Sequence, residues 1–231
     1  MNFRQFYEQT TDNQDNDYED FLHYLETKGW VWAGEGAFGI VYKKPNKNYV
    51  IKVYKDDEAY DNFLNFIERN QNDPHIPKIK RRILPLANNQ SKNYGIVAIE
   101  QLDDLITYNK SDWTWQLVQQ FQIQLYNSNI GNLSFDKYLE IVVEKVRKRY
   151  ENDLEAEIKQ LKNSVIMSRY RQKLRLLDYF VESNIEIFKT FYRLRKFLEK
   201  NNKTHTYDLH SGNFMIRPST GEIVVTDPIA F

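Results

Sequence analysis

Cysteine is missing from all 231 residues of this sequence. Its absence excludes a disulfide scaffold, thiolate metal sites and thiol catalysis, and it suits a reducing compartment. An excess of charge of either sign is missing as well, because 32 Lys and Arg balance 32 Asp and Glu. That balance argues against binding nucleic acid through bulk positive charge, so no specific nucleic-acid partner is expected. No apolar run approaches the ~20 residues that span a bilayer, so no membrane partner is expected either. The opening Met-Asn-Phe-Arg-Gln-Phe-Tyr-Glu lacks the uncharged apolar stretch of a secretory signal. A cytoplasmic globular protein, long enough to bury a core in one domain or two small lobes, is the expectation.

What is present divides into three kinds of pattern. Residues 1–28 are acidic, and Tyr18, Phe21, Leu22 and Leu25 recur at helical spacing before Gly29, a helix stop. From Trp30 to Leu102 short runs of aromatic and β-branched residues predict strands at 30–33, 39–43, 49–54, 76–86 and 94–100. Pro45-Asn46-Lys47-Asn48 supplies a turn, and Tyr60, Phe63, Leu64 and Ile67 predict a helix over 57–69 that Asn72-Asp73-Pro74 ends. The reading is a five-stranded sheet carrying one helix. From 112 to 200 proline is absent and helical stripes dominate, with Ser134 placed to cap one helix and a long stripe running from Leu174 to Phe197. Strands return at 214–217 and 222–226 around the turn Pro218-Ser-Thr-Gly221.

Three constellations carry chemistry. Gly34-Glu-Gly36-Ala-Phe-Gly39-Ile-Val41 fits both a dinucleotide fingerprint and a phosphate-covering loop. Asp56 and Asp57 lie at the acidic spacing of the former, but Ile40 to Lys43 runs into a Pro-Asn turn and leaves no room for a crossover helix. Strand, glycine loop and strand instead suit backbone N–H groups over nucleotide phosphates; a hairpin without a ligand is the plain alternative. Lys52 lies within the alternating strand Val50-Ile-Lys-Val53, where an ammonium needs anionic partners such as phosphate oxygens unless it faces solvent.

The third is His205-Thr-Tyr-Asp208-Leu-His-Ser-Gly-Asn213, a hairpin, and then Thr226-Asp227-Pro228. A turn centred on Ser219 and Thr220 brings Asn213 and Asp227 to one end of two strands about 5 Å apart. Both could then reach one Mg²⁺, which prefers hard oxygen ligands and uses few protein groups. Asp208, just before that end, is positioned to orient or deprotonate a hydroxyl. Read plainly, all three are turn residues.

Gly34-x-Gly36-x-x-Gly39-x-Val41, Val50-Ile51-Lys52, Asp208-x-x-x-x-Asn213 and Asp227 together reproduce, in order, the signature of the protein-kinase-like fold. Asp-Leu-His-Ser-Gly-Asn resembles the catalytic loop of aminoglycoside-phosphotransferase-like members. With Val-Val-Thr-Asp-Pro, the whole string is similar to small serine/threonine protein kinases of tailed bacteriophages. The resemblance implies an α+β, two-lobed fold: an acidic N-terminal helical extension at 1–28, an N-lobe at 29–103 with a five-stranded antiparallel sheet plus one helix, and a mostly helical C-lobe at 104–231 carrying the catalytic loop and metal-binding hairpin. It implies ATP and Mg²⁺ as cofactors and a protein substrate as partner. It also implies that Gly34, Gly36, Gly39 and Val41 cover the nucleotide and that Lys52 holds the α/β-phosphates. Glu100 and Leu102 would meet adenine through backbone groups, Asp208 would be the catalytic base, Asn213 and Asp227 would bind Mg²⁺, and His205 would stand for the catalytic-loop histidine.

The sequence departs from the family pattern in three ways. Pro228-Ile229 follows Asp227 in place of Phe-Gly. Four residues follow Asp227, so the helices at 112–200 are expected to supply the second lobe and substrate binding. The glutamate that pairs with Lys52 is either Glu58 or Glu68, with Tyr60 as a possible substitute. Three further functions fit parts of the sequence: a small-molecule kinase of aminoglycoside type, a pseudokinase acting through protein contacts, and an interaction module on the charged helix at 145–175.

Overall fold

The computed structural model describes residues 14–36, 39–55, 57–83, 94–104, 132–161, 175, 177–179, 181–201, 206–207 and 213–230. The predicted helix from Trp113, the basic stretch before Arg175, and His205 and Asp208 lie outside them. Two compact units divide the chain, residues 1–61 with 77–101, and residues 62–76 with 102–231. Among the described residues no helix is long and apolar enough to cross a membrane.

The first unit is built on a five-stranded antiparallel sheet, order β1-β2-β3-β5-β4, from β1 (Val31–Gly36), β2 (Gly39–Lys43), β3 (Tyr49–Lys55), β4 (Ile79–Ile83) and β5 (Tyr94–Glu100). The expected strands are present, with β4 starting at Ile79 rather than at 76, and residues 84–86 of the expected strand lying outside the described residues. Helix α1 (Gln14–Thr27) precedes the sheet. Gly29, at φ +76°, ends it, with the Gly29 N–H donating to Glu26 O at 2.9 Å and the Trp30 N–H to Leu25 O at 3.0 Å. This is a Schellman stop, which a left-handed glycine adopts without strain. Phe21, Leu22 and Leu25 of α1 are buried in one cluster with Tyr42, Ile51, Val53, Tyr94 and Ile96 of the sheet. Each buried side chain of this size contributes roughly 1.5–3 kcal/mol relative to exposure, so α1 is fastened by its apolar stripe.

Because side chains alternate along a strand, Ile51 and Val53 occupy the α1 face of β3, and Lys52 and Tyr54 occupy the opposite one. Helix α2 (Glu58–Arg69) starts in the first unit and continues into the second. Its N-cap is Asp57, whose carboxylate accepts the Tyr60 N–H at 2.8 Å.

In the second unit, α3 (Phe135–Leu161) and α4 (Ile185–Lys200) share a core. Tyr138, Val142 and Val146 pack there with Ile187, Phe188 and Phe191, and with Phe214, Ile223 and Val225 of the strands. Ser134 caps α3, accepting the Lys137 N–H at 3.3 Å. The predicted stripe from Leu174 to Phe197 is broken at Asn184, a turn residue directly before α4. Short strands complete the unit. They are β6 (Asp103–Asp104), β8 (Phe214–Ile216) and β9 (Ile223–Val225) in one sheet, and β7 (Thr206–Tyr207) with β10 (Ile229–Ala230) in another. Strands β6, β7 and β10 are too short to show a periodic pattern in sequence.

Candidate active site

The glycine constellation forms the ends of a hairpin. Gly34 and Gly36 belong to β1 and pair with Val41 and Gly39, after a register shift between Trp32 and Gly34. Val41 in turn pairs with Lys52, and Lys52 with Val97. Directly opposed residues share a sheet face, so Gly34, Val41 and Lys52 form one row across three strands. The adjacent row is Gly36, Gly39, Tyr54 and Gly95.

The glycines of these rows differ in what surrounds them. Among the described residues, a Cβ on Gly34 or Gly36 would meet no atom within 4 Å. At Gly39 it would lie 2.9 Å from Val53 O and 3.3 Å from Lys52 Cε. The protein's own packing therefore requires glycine at 39, while at 34 and 36 the described residues leave room for a side chain.

The Lys52 ammonium sits over the ring of Tyr60, 3.4 Å from its centroid. Tyr60 meets Tyr54 edge to face at 5.0 Å. The Tyr54 hydroxyl donates to Asp61 Oδ1 at 2.6 Å, and Arg82 Nη2 donates to the same oxygen at 2.8 Å. Burial first, and then the hydrogen bond to Asp61, pushes the Tyr54 phenol well above its ordinary value. The two glutamates expected near Lys52, Glu58 and Glu68, are both exposed.

Glu100 ends β5. Its N–H donates to Lys78 O at 2.9 Å, and its carboxylate accepts the Lys78 N–H at 2.9 Å. The Glu100 N–H is thus engaged within the sheet. Leu102, half-buried, leads into β6 in the second unit.

In that unit β8 and β9 form the expected hairpin, with Phe214 opposite Val225 and the Thr226 N–H donating to Asn213 O at 2.9 Å. Asn213 is buried and Asp227 half-buried. The two lie at one end of the hairpin, offset by a single residue, because Thr226 is the residue opposite Asn213. Asp208 and His205 fall outside the described residues, but their chain neighbours do not. Tyr207 pairs with Ile229 and Thr206 with Ala230. The residue before Asp208 is therefore laddered to the residue two beyond Asp227.

The sequence model for bacteriophage T7 protein kinase 0.7 matches residues 5–231. The chain belongs to this family of phage protein kinases. No curated protein matches it. Its place in the family makes it a phosphotransferase, and the ordered motifs from Gly34 to Asp227 lie wholly inside the matched range.

Several residues of this phage kinase act in the framework without having stood out in the sequence. Asp73, read there as part of a helix stop, is a buried carboxylate. It accepts from Thr190 Oγ1 at 2.7 Å, from Arg193 Nη2 at 2.6 Å and from the His75 N–H at 2.9 Å. Arg217 donates to Pro74 O at 2.5 Å, to Ile76 O at 3.0 Å and to Glu222 Oε2 at 2.8 Å. The Val225 N–H donates to His75 O at 2.9 Å. Residues 73–76 are thereby strapped to α4 on one side and to the β8–β9 hairpin on the other. The hydrogen bond from Thr220 is the largest cause holding the Glu222 carboxyl below its ordinary value; burial opposes it, and the hydrogen bond and charge of Arg217 add to the lowering. An arginine directly after the strand pattern Phe214-Met-Ile was the available sequence signal for this strap.

Proposed function

We propose that this phage kinase transfers the γ-phosphoryl group of ATP, with Mg²⁺, to Ser or Thr hydroxyls of a protein substrate in the host cytoplasm. The observation that best supports the reading is the cross-strand row of Gly34, Val41 and Lys52, a cation two strands from glycine backbone whose Cβ position no atom of the described residues approaches within 4 Å. Such a face suits phosphate oxygens, which backbone N–H groups and an ammonium stabilise together. In this reading Gly34, Gly36, Gly39 and Val41 cover the nucleotide, and Lys52 holds the α/β-phosphates. Backbone groups of Glu100 and Leu102 meet adenine. The expected organisation, an N-lobe at 29–103 and a C-lobe at 104–231 after an extension at 1–28, is part of the same proposal.

Asn213 and Asp227 supply an amide oxygen and a carboxylate at one hairpin end, a hard donor set that fits Mg²⁺. They would hold the ion, which when bound offsets the negative charge of the phosphates. Asp208 accepts the proton of the attacking hydroxyl as its oxygen bonds to the γ-phosphorus and ADP leaves. The pairing of Tyr207 with Ile229 supports this role, since it draws the Asp208 and Asp227 segments together.

The test is mass spectrometry of lysate proteins incubated with Mg-ATP and either wild type or Asp208→Ala. New phosphoserine and phosphothreonine with wild type alone are expected. Mg-ATP binding without any transfer would point to a pseudokinase, and transfer to aminoglycosides but not to proteins would point to the small-molecule alternative.

A further inference from the structure

We infer that Tyr60 is a positioning residue for nucleotide binding, its ring holding the Lys52 ammonium through a cation–π contact. The inference rests on the nucleotide reading above and adds a residue to it. The Nζ-to-centroid distance of 3.4 Å is well inside the ~6 Å range of such contacts. Tyr60 is only 1% exposed, and cation–π attraction is strongest where water is excluded.

The ring is fixed from several directions. The Asp57 cap holds its backbone N–H at 2.8 Å. Tyr54 abuts it at 5.0 Å with planes 74° apart, and Tyr54 is itself tied to Asp61 at 2.6 Å. Asp61 is in turn ion-paired to Arg82 at 2.8 Å. On the far side, glycine at 39 leaves room for the lysine stem, since a Cβ there would crowd Lys52 Cε at 3.3 Å. The stem is therefore bracketed between the bare backbone of Gly39 and the face of Tyr60. A ring differs from a carboxylate in that it neutralises none of the ammonium's charge. It can orient the cation without competing with phosphate oxygens for its attraction.

The experiment places phenylalanine and then mono-, di- and trifluorinated phenylalanines at position 60 of the full chain. It measures Mg-ATP affinity by calorimetry and KM against kcat in transfer. Fluorine withdraws charge from the ring face while hardly changing its shape, so a purely structural role would not respond to the series. Tyr60→Phe is expected to stay within about twofold of wild type, and each fluorine to weaken Mg-ATP further, reaching about tenfold by the third. The change should lie mainly in KM. In a Lys52→Met background the series should be flat. Equal affinity across the fluorinated set, or the same losses without Lys52, would overturn the inference while leaving the nucleotide reading intact. A wild type that binds no Mg-ATP would overturn both.

Discussion

The ring of Tyr54 fills the space that a side chain at Gly95 would need. A Cβ on Gly95 would overlap the Tyr54 hydroxyl and the ring carbon that bears it. The ring has little freedom to yield, because its hydroxyl is held by Asp61 at 2.6 Å. Gly95→Ala is therefore expected to destabilise the protein by about 1–3 kcal/mol, the usual range for overpacking a filled site. Urea denaturation of the two proteins measures the difference, and an unchanged midpoint would contradict the packing described.

Gly34 and Gly36 carry the opposite expectation. With no atom of the described residues within 4 Å of a Cβ at either position, Gly34→Ala and Gly36→Ala should change stability by no more than about 0.5 kcal/mol. Under the proposed function they should nevertheless weaken Mg-ATP, because the added methyl occupies space the phosphates approach. Parallel melts with and without Mg-ATP would separate the two effects. At ~100 times its dissociation constant, the nucleotide adds about 2.7 kcal/mol to the wild type.

Asp73 ties residues 73–76 to α4. Removing its carboxylate takes the nearer acceptor from the Thr190 hydroxyl, which keeps Glu186 O at 3.1 Å, takes an acceptor from the His75 N–H and takes the ion-pair partner from Arg193. Asp73→Ala is expected to cost about 3 kcal/mol, the scale for losing charged hydrogen bonds at a buried site. Arg193→Ala should cost distinctly less. Its guanidinium side is 42% exposed while Asp73 is 3% exposed, and the carboxylate keeps two donors. Equal losses in the two variants, read by chemical denaturation, would contradict this ranking.

The strands and turns of the first unit were legible because their causes are local. Val50 to Val53 and Tyr94 to Glu100 carry the β-branched and aromatic residues of a pleated surface. Gly29 and the Pro45-Asn46 turn mark chain reversals that few other residues permit. The end-to-end placement of Asn213 and Asp227 followed from counting residues around one hairpin. The support of Lys52 was not legible in the same way. Helical spacing offered Glu58, Glu68 and Tyr60 alike, and an aromatic face has no motif that would single out Tyr60, whose ring the Lys52 ammonium meets. Asp73 was equally hidden, since its partners Thr190 and Arg193 are 117 and 120 residues away. Beside Pro74 it reads as punctuation until the fold supplies those partners.

The depressed Glu222 carboxyl gives the second unit an acid dependence of known sign. A carboxyl whose folded pKa lies below its unfolded value binds protons less readily in the folded state. Its contribution is present above the unfolded carboxylate pKa, near 4.3, and is lost as pH falls through the folded value. Wild type should therefore lose stability on acidification more steeply than Glu222→Gln, and the two curves should converge at the acid end. Thr220→Ala, which removes the largest lowering cause, should flatten the dependence in part. Parallel curves for all three proteins across pH 2–6 would contradict the assignment.

The most direct measurement of the central claim is the initial rate of γ-phosphoryl transfer at saturating Mg-ATP in wild type, Asp208→Ala and Asp227→Ala, with a thermal melt of each. Removing one electrostatic group at such a centre typically costs 10²–10³ in rate. The account predicts a loss of at least that size in both variants with the melting transition retained. Transfer at the wild-type rate in either folded variant would contradict it.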